Sequence, residues 1–432
     1  MSAFQTIVIG IFVALVIVGV GVFALFGGFG NKDSLGRVVI WGTTDQTQMD
    51  VVLSTLAQKD KALQDVIYIA KRPATYETEL INAIAAGTGP DLVFLTQQDI
   101  GLLYDKVTPI PYKSVSQSTF VTSFIDEGQL FLTSQGSLAL PFIIDPLVMY
   151  WNRDTFTGVG QAQAPAYWND LIGLAPKITS LDAGGNIRKS ATAMGTWDNV
   201  TNAKAILSAL MMQSGDFITN RNAQGILTPV LGARPNNSNV SPASEALRFY
   251  TDFANPSKTT YSWNRSLPTS YTAFTSGDLA VYFGFASEYR PIGERNPNLR
   301  FGVATLPQLQ GSSAKITYGN ITGLAIARGS QNPNGALGAA LKLTSAAASA
   351  AVAQQLNLPP VRRDVQVDTS ASAAAAVFIQ SALMSRAWVD PNVVATNAMF
   401  KEMIESVISG RGTSEQAVFD AASAMRQLLP NQ

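Results

Sequence analysis

The sequence predicts an α/β protein of two lobes preceded by one apolar helix, and three observations carry that expectation. Residues 37–95 alternate strand and helix patterns, the mark of a parallel sheet covered by helices. The chain after Trp151 builds a second, helix-rich α/β layer. Between the two lies Ala139–Phe156, where Pro141 and Asp145-Pro146 divide two apolar runs. Proline cannot donate to a ladder, so this stretch reads as a strand, a break, and a second strand Leu147–Trp151. The break is where the chain is expected to leave one lobe for the other.

Ile7–Phe26 comes first. Its twenty residues are all apolar or glycine. At about 1.5 Å per residue they span a bilayer core of about 30 Å. A buried core helix of that length would carry a polar position. A cleaved signal peptide would have an apolar region of about 7–15 residues, a basic start and a small-residue cleavage site. Met1–Thr6 holds no Lys or Arg, and the exit reads Phe-Gly-Gly-Phe-Gly. Residues 1–30 are therefore expected to be an uncleaved transmembrane anchor (helix about 7–26) and tether, in contact with the lipid bilayer.

The α/β pattern then begins. Arg37–Trp41 and Val66–Ala70 read as strands. Gln46–Lys61 is a helix with apolar residues at 49, 52, 53 and 56. Ala74–Ala86 is a second helix ended by Gly87. Asp91–Leu95 is nearly all apolar, as a buried parallel strand should be. Beyond Trp151, helices are expected at Tyr167–Leu171, Asn199–Gln213, Ala243–Phe253 and Thr269–Gly277. Strands follow at Leu279–Phe283, Phe301–Leu306 and Thr322–Ala327. Gly335–Gln355 reads as one alanine-rich helix, and Ser370–Met384, Asn392–Ser409 and Ser414–Leu429 as three more.

Composition excludes much. Lys plus Arg equals Asp plus Glu, 30 each, so no basic field draws nucleic acid. Without cysteine there are no disulfides, thiolate metal sites or cysteine nucleophiles. Without histidine, Ser-His-Asp and Cys-His catalysis and histidine-ligated metals are excluded too. No metal, cofactor or catalysis is expected.

Several segments, in order, carry a resemblance. Val39-Ile-Trp-Gly42 is followed by Tyr76-x-x-Glu-Leu-Ile-Asn-Ala-Ile-Ala-Ala-Gly-Thr-Gly-Pro-Asp91. Leu140-Pro-Phe142 runs on to Tyr150-Trp-Asn-Arg-Asp-Thr-Phe156. Ala164-Pro-Ala-Tyr-Trp-Asn-Asp-Leu171, Ala273-Phe-Thr-Ser-Gly-Asp-Leu-Ala280, Leu358-Pro-Pro-Val-Arg362 and Trp388-x-Asp-Pro391 come later. Together they resemble the extracellular solute-binding proteins of ABC importers, in the maltose-binding-protein-like group. Tyr167 departs from the threonine of the group's Thr-Trp pair. The lipid-anchor cysteine of many relatives is missing, a role the apolar helix would take.

The resemblance implies a two-lobed, type II periplasmic-binding-protein-like fold with three crossings and a ligand cleft between the lobes. Residues 37–146 plus 308–350 would form lobe 1, and 147–307 plus 351–432 lobe 2. Strand-end segments would face the cleft. They hold Trp41, Thr43, Thr44 and Asp45; Asp145; Trp197; Glu288 and Tyr289; Tyr318 and Asn320; and Arg362. Each has a plainer reading. Asp45 could only cap a helix, Trp197 could pack, and Glu288 could pair with Arg290. Trp151 and Trp168 sit in apolar contexts and are expected in the core.

The expected ligand is a small neutral solute, a sugar or oligosaccharide, gripped by aromatic faces and short polar groups and passed to importer permease subunits. Peptide, polyamine and phosphate ester stay open as classes. One rival is a surface glycoside hydrolase using Asp145 and Glu288 as paired carboxylates, about 5–10 Å apart. The other is a surface adhesion protein, which needs no polar and aromatic strand ends.

Overall fold

The computed structural model describes residues 34–222, 225–234, 240–312, 314–369 and 372–429. The anchor expected at 7–26 lies outside them. Among the described residues no single helix is long and apolar enough to cross a membrane.

Two hydrophobic cores organise the chain into two lobes. The first is built on Val38–Gly42, flanked in parallel by Val66–Ala70 and Leu92–Thr96. Alternation buries Val38 and Ile40. Asp91 fixes the strand's start, its Oδ2 accepting from the Val39 amide at 3.0 Å. The helix Gln46–Lys59 buries Met49, Val52, Leu53 and Leu56, the spacing legible in the sequence. Its start is capped by Asp45, which accepts from the Gln48 amide at 3.0 Å.

The stretch Leu140–Asn152 is one unbroken strand of 13 residues, not two strands and a break. Its prolines sit where the ladder is already irregular. Pro141 lies opposite Gly323, at a register shift in the partner strand. Pro146 lies opposite Gly319, and from Leu147 the pairing passes to Leu279–Phe285. A strand interior tolerates proline at such points. The first half of the strand therefore serves one core, through Leu140, Phe142 and Ile144. The second half serves the other, through Leu147–Tyr150.

The partner Thr317–Ala327 starts five residues before the Thr322 expected, and it inserts between Leu92–Thr96 and Leu140–Asn152. Ile316 and Tyr318 still belong to the second core, and Ile321 to the first. The chain thus changes core near Gly319, later than the expected 307/308 boundary. Val352 and Val361 pack in the first core, beyond the expected exit at 350/351. A third segment, Ser385–Arg386, pairs in parallel with Thr317–Tyr318.

The helix expected over Gly335–Gln355 is two helices, Pro333–Leu343 and Ala346–Leu356, bent by 70°. Ser345 caps the second, its hydroxyl accepting from the Ala348 amide at 3.3 Å. Serine offers the backbone that alternative to continued helix, and neighbouring alanines supply little packing to oppose it.

In the second lobe, Leu279–Phe285 runs between Leu147–Trp151 and Ile187–Thr192. Helix Ala203–Gln213 lies deep in this core, and Lys204 is its one residue that is not fully buried. That exception marks the lobe's inner face.

Candidate functional site

Lys204 lines a cavity of about 410 Å³ between the lobes. The first lobe contributes Gln98, just past the carboxyl end of Leu92–Thr96. The crossing strand contributes Tyr318 and Asn320. The second lobe supplies Trp197–Asp198, the turn Val200–Asn202 leading into helix Ala203–Gln213, Phe285, and Val393 and Asn397 of helix Val393–Ile408. Two helix N-termini therefore open onto the cavity, and their partly positive ends suit oxygen ligands.

The lysine is not free to meet an anion. Its ammonium donates to Asp390 Oδ2 at 2.7 Å, to Thr396 Oγ1 at 2.8 Å and to Asn397 Oδ1 at 2.8 Å. Three donors on one ammonium are thereby used. It also lies 5.2 Å from the Trp388 ring centroid. Burial pushes its pKa down, and the Asp390 charge works against that. At the rim, Asp198 is exposed and pairs with Lys401 at 2.7 Å. The cavity wall is polar, with its cations paired.

Gln97 fixes the far wall. It is fully buried, and the two hydrogens of its Nε2 are shared among three acceptors at 3.0–3.3 Å: Tyr318 Oη, the Gly319 carbonyl and Asn320 Oδ1. Its Oε1 accepts from the Ile321 amide at 3.0 Å. One side chain thus pins four consecutive residues of the crossing strand. With Oδ1 of Asn320 occupied, its amide hydrogens are left for a ligand.

Of the residues singled out from the sequence, Trp197, Tyr318 and Asn320 line this cavity. Asp145 pairs in register with Asn320 and accepts from the Ser287 amide at 3.0 Å. Burial raises its carboxyl to about 7. Glu288 lies behind the wall. It accepts from Tyr282 Oη at 2.5 Å, the Phe285 amide at 2.7 Å and Asn202 Nδ2 at 3.1 Å, so it orients Asn202. The remainder do not line the cavity. Asp45 caps its helix. Trp41 carries Lys71 over its ring at 3.7 Å. The Thr44 carbonyl accepts from Tyr68 Oη at 2.8 Å, and Thr43 is exposed beside it. Tyr289 packs edge-on to Phe301 and Phe378. Arg362 is held by Asp364 and the Thr344 carbonyl.

Gln97, Asn202, Lys204 and Asn397 were not legible as site residues. Lys204 alone had a signal, as the one charge in the apolar run Ala203–Met212.

Two α/β cores joined by shared strands, with a polar cavity between them, define a two-lobed binding protein. The chain belongs to the family described as bacterial extracellular solute-binding protein, whose model matches residues 38–379. Binding proteins of Brucella abortus (strain 2308) and Brucella suis biovar 1 (strain 1330) are each 23% identical over 373 residues, 81% of this chain and 82% of theirs. A cyclo/maltodextrin-binding protein complexed with maltotetraose shares the fold at TM-score 0.72 and 17% identity, over 92% of this chain and 97% of that one. The GacH receptor of Streptomyces glaucescens GLA.O, solved unliganded and with acarbose, does so at TM-score 0.68 and 17% identity, over 91% and 98%.

Proposed function

We propose that this chain is the extracytoplasmic receptor of an ABC importer, binding a sugar or oligosaccharide between its lobes and delivering it to permease subunits. The observation that carries the reading is a cavity walled by both lobes in which a half-buried tryptophan faces neutral amides, while its lysine is saturated. An indole suits the apolar face of a sugar ring. Amides and helix N-termini suit its hydroxyls. A phosphate or carboxylate would find no unpaired cation there. The fold neighbours hold maltotetraose and acarbose, both chains of hydroxyl-rich rings. Catalysis by Asp145 and Glu288 is disfavoured, because Glu288 is engaged on both oxygens behind the wall.

In this reading lobe 1 is residues 37–146 with about 320–361, and lobe 2 most of the remainder. The strands at Pro146 and Gly319 act as the hinge on which the lobes close. Ile7–Phe26 anchors the receptor in the membrane. A thermal-shift screen of the full chain against sugars, polyols, amines and phosphate esters tests the ligand class. A true ligand at 100 times its Kd adds about 2.7 kcal/mol of stability. Stabilisation by amines or phosphate esters and not by sugars overturns the class. N-terminal sequencing of membrane-fraction protein tests the anchor, and a start near Asn31 overturns it.

A further inference from the structure

Behind the cavity, on the hinge itself, lies a carboxyl that ligand binding does not use. Glu127 belongs to the short 3₁₀ helix Asp126–Phe131, which packs against Leu140–Asn152, Thr317–Ala327 and Ser385–Arg386. It is 1% exposed, and neither of its oxygens has a hydrogen-bond partner among the described residues. Its Oε2 rests on Gly319 so closely that a methyl group there would run into it. Gly319 is where the second crossing strand changes core.

The charged groups around it are committed elsewhere. Arg386, on the third crossing segment, donates Nη2 to Asp126 Oδ2 at 2.6 Å and Nη1 to the Ser385 carbonyl at 2.7 Å. Arg363 pairs with the other oxygen of Asp126. Arg221, on the wall of the 250 Å³ cavity that Glu127 and Arg386 also line, donates Nη1 to the Gly225 carbonyl at 3.0 Å. The remaining titratable neighbour is the buried hydroxyl of Tyr318. An ionised Glu127 would be a bare buried charge, which costs far more than a neutral carboxyl.

We propose that Glu127 is a proton-linked wedge in the hinge: the neutral carboxyl packs dry against Gly319 and holds the lobes as they stand here, and loss of its proton to solvent wets the cavity and releases them. The proposal rests on the reading of this protein as a hinge-closing receptor. Burial places the titration at about 8, with Arg386 offsetting part of the rise. A released, solvated Glu127 would titrate near its ordinary 4.5, so the wedged arrangement loses ground as pH rises towards about 8. The chain has neither histidine nor cysteine, and the other buried carboxyls raised into this range, Asp145 and Asp216, are unchanged in Glu127→Gln, so that variant isolates Glu127.

The absence of cysteine also supplies the experiment. Fluorophores on Ser54→Cys and Lys177→Cys, both exposed and one on each lobe, report interlobe distance in the full chain in detergent. Energy transfer without ligand is measured from pH 6 to 9.5. The expected result is a shift that grows as pH rises, levels off above about 8 and disappears in Glu127→Gln. A parent protein with no shift, or an equal shift in Glu127→Gln, overturns the wedge. Gly319→Ala displaces the carboxyl without changing its charge, and at pH 6 it should give the parent's high-pH value. An unchanged value there also overturns it. Adding maltotetraose at pH 6 reads the hinge-closing reading separately, since a response to sugar without a response to pH removes the wedge alone.

Discussion

Asp145 and Asn320 face each other across the antiparallel ladder at the point where both long strands pass between the cores. Directly opposed residues project from the same face of a sheet. The acid therefore stands beside the amide that lines the cavity, and its carboxyl is held at about 7 by burial, with Glu288 nearby pushing the same way.

That carboxyl makes stability depend on pH. The folded protein keeps the Asp145 proton where an unfolded chain, titrating near 3.8, has lost it. This group's contribution is complete below about 3.8 and is lost as pH rises towards about 7. Asp216, raised to about 6, acts with the same sign. The expected outcome is a melting temperature that falls less steeply between pH 4 and 7 in Asp145→Asn than in the parent. Parallel curves in a scanning calorimeter would sink the assignment.

Lys204→Met leaves Asp390, which is 2% exposed, without its cation. Removing one partner of a buried pair costs roughly 3–5 kcal/mol. Urea unfolding should show a loss of that order with little change in m-value. A loss below about 1 kcal/mol, the size expected of a surface pair, would mean that water already reaches Asp390.

Trp197 and Glu288 should separate affinity from stability. Trp197→Ala removes a half-buried ring from the cavity wall, and sugar binding should weaken about tenfold or more, equal to about 1.4 kcal/mol. Glu288→Gln removes no side chain from the wall and keeps one oxygen for Asn202, but it places an amide among donors, costing about 1–3 kcal/mol of stability. Calorimetric titration and thermal melts on both variants check this. Parent-like binding by Trp197→Ala would place the ligand elsewhere.

The strands of the first lobe were legible because buried parallel strands are written as continuous apolar runs, as in Leu92–Leu95. Helix Gln46–Lys59 was legible by its spacing and by Asp45 at its start. The strand through Pro141 and Pro146 was not, because its tolerance depends on a partner more than 170 residues away. The cavity was legible only in part. Trp197 and Asn320 stand at ends of predicted elements. Gln97 gains its meaning from four contacts with residues beyond 317, which no local pattern encodes. The bend at Ser345 was hidden by alanines that read equally well as one helix or two.

The place of Thr317–Ala327, between Leu92–Thr96 and Leu140–Asn152, bears on how the protein is made. A ribosome delivers the two outer strands first and the middle one more than 150 residues later. At about 5–20 residues per second, the nascent first lobe waits roughly 8–35 s with both flanking edges unpaired. Open strand edges invite pairing with other chains. Until the middle strand arrives, these edges are the part of the nascent first lobe most open to pairing with other chains.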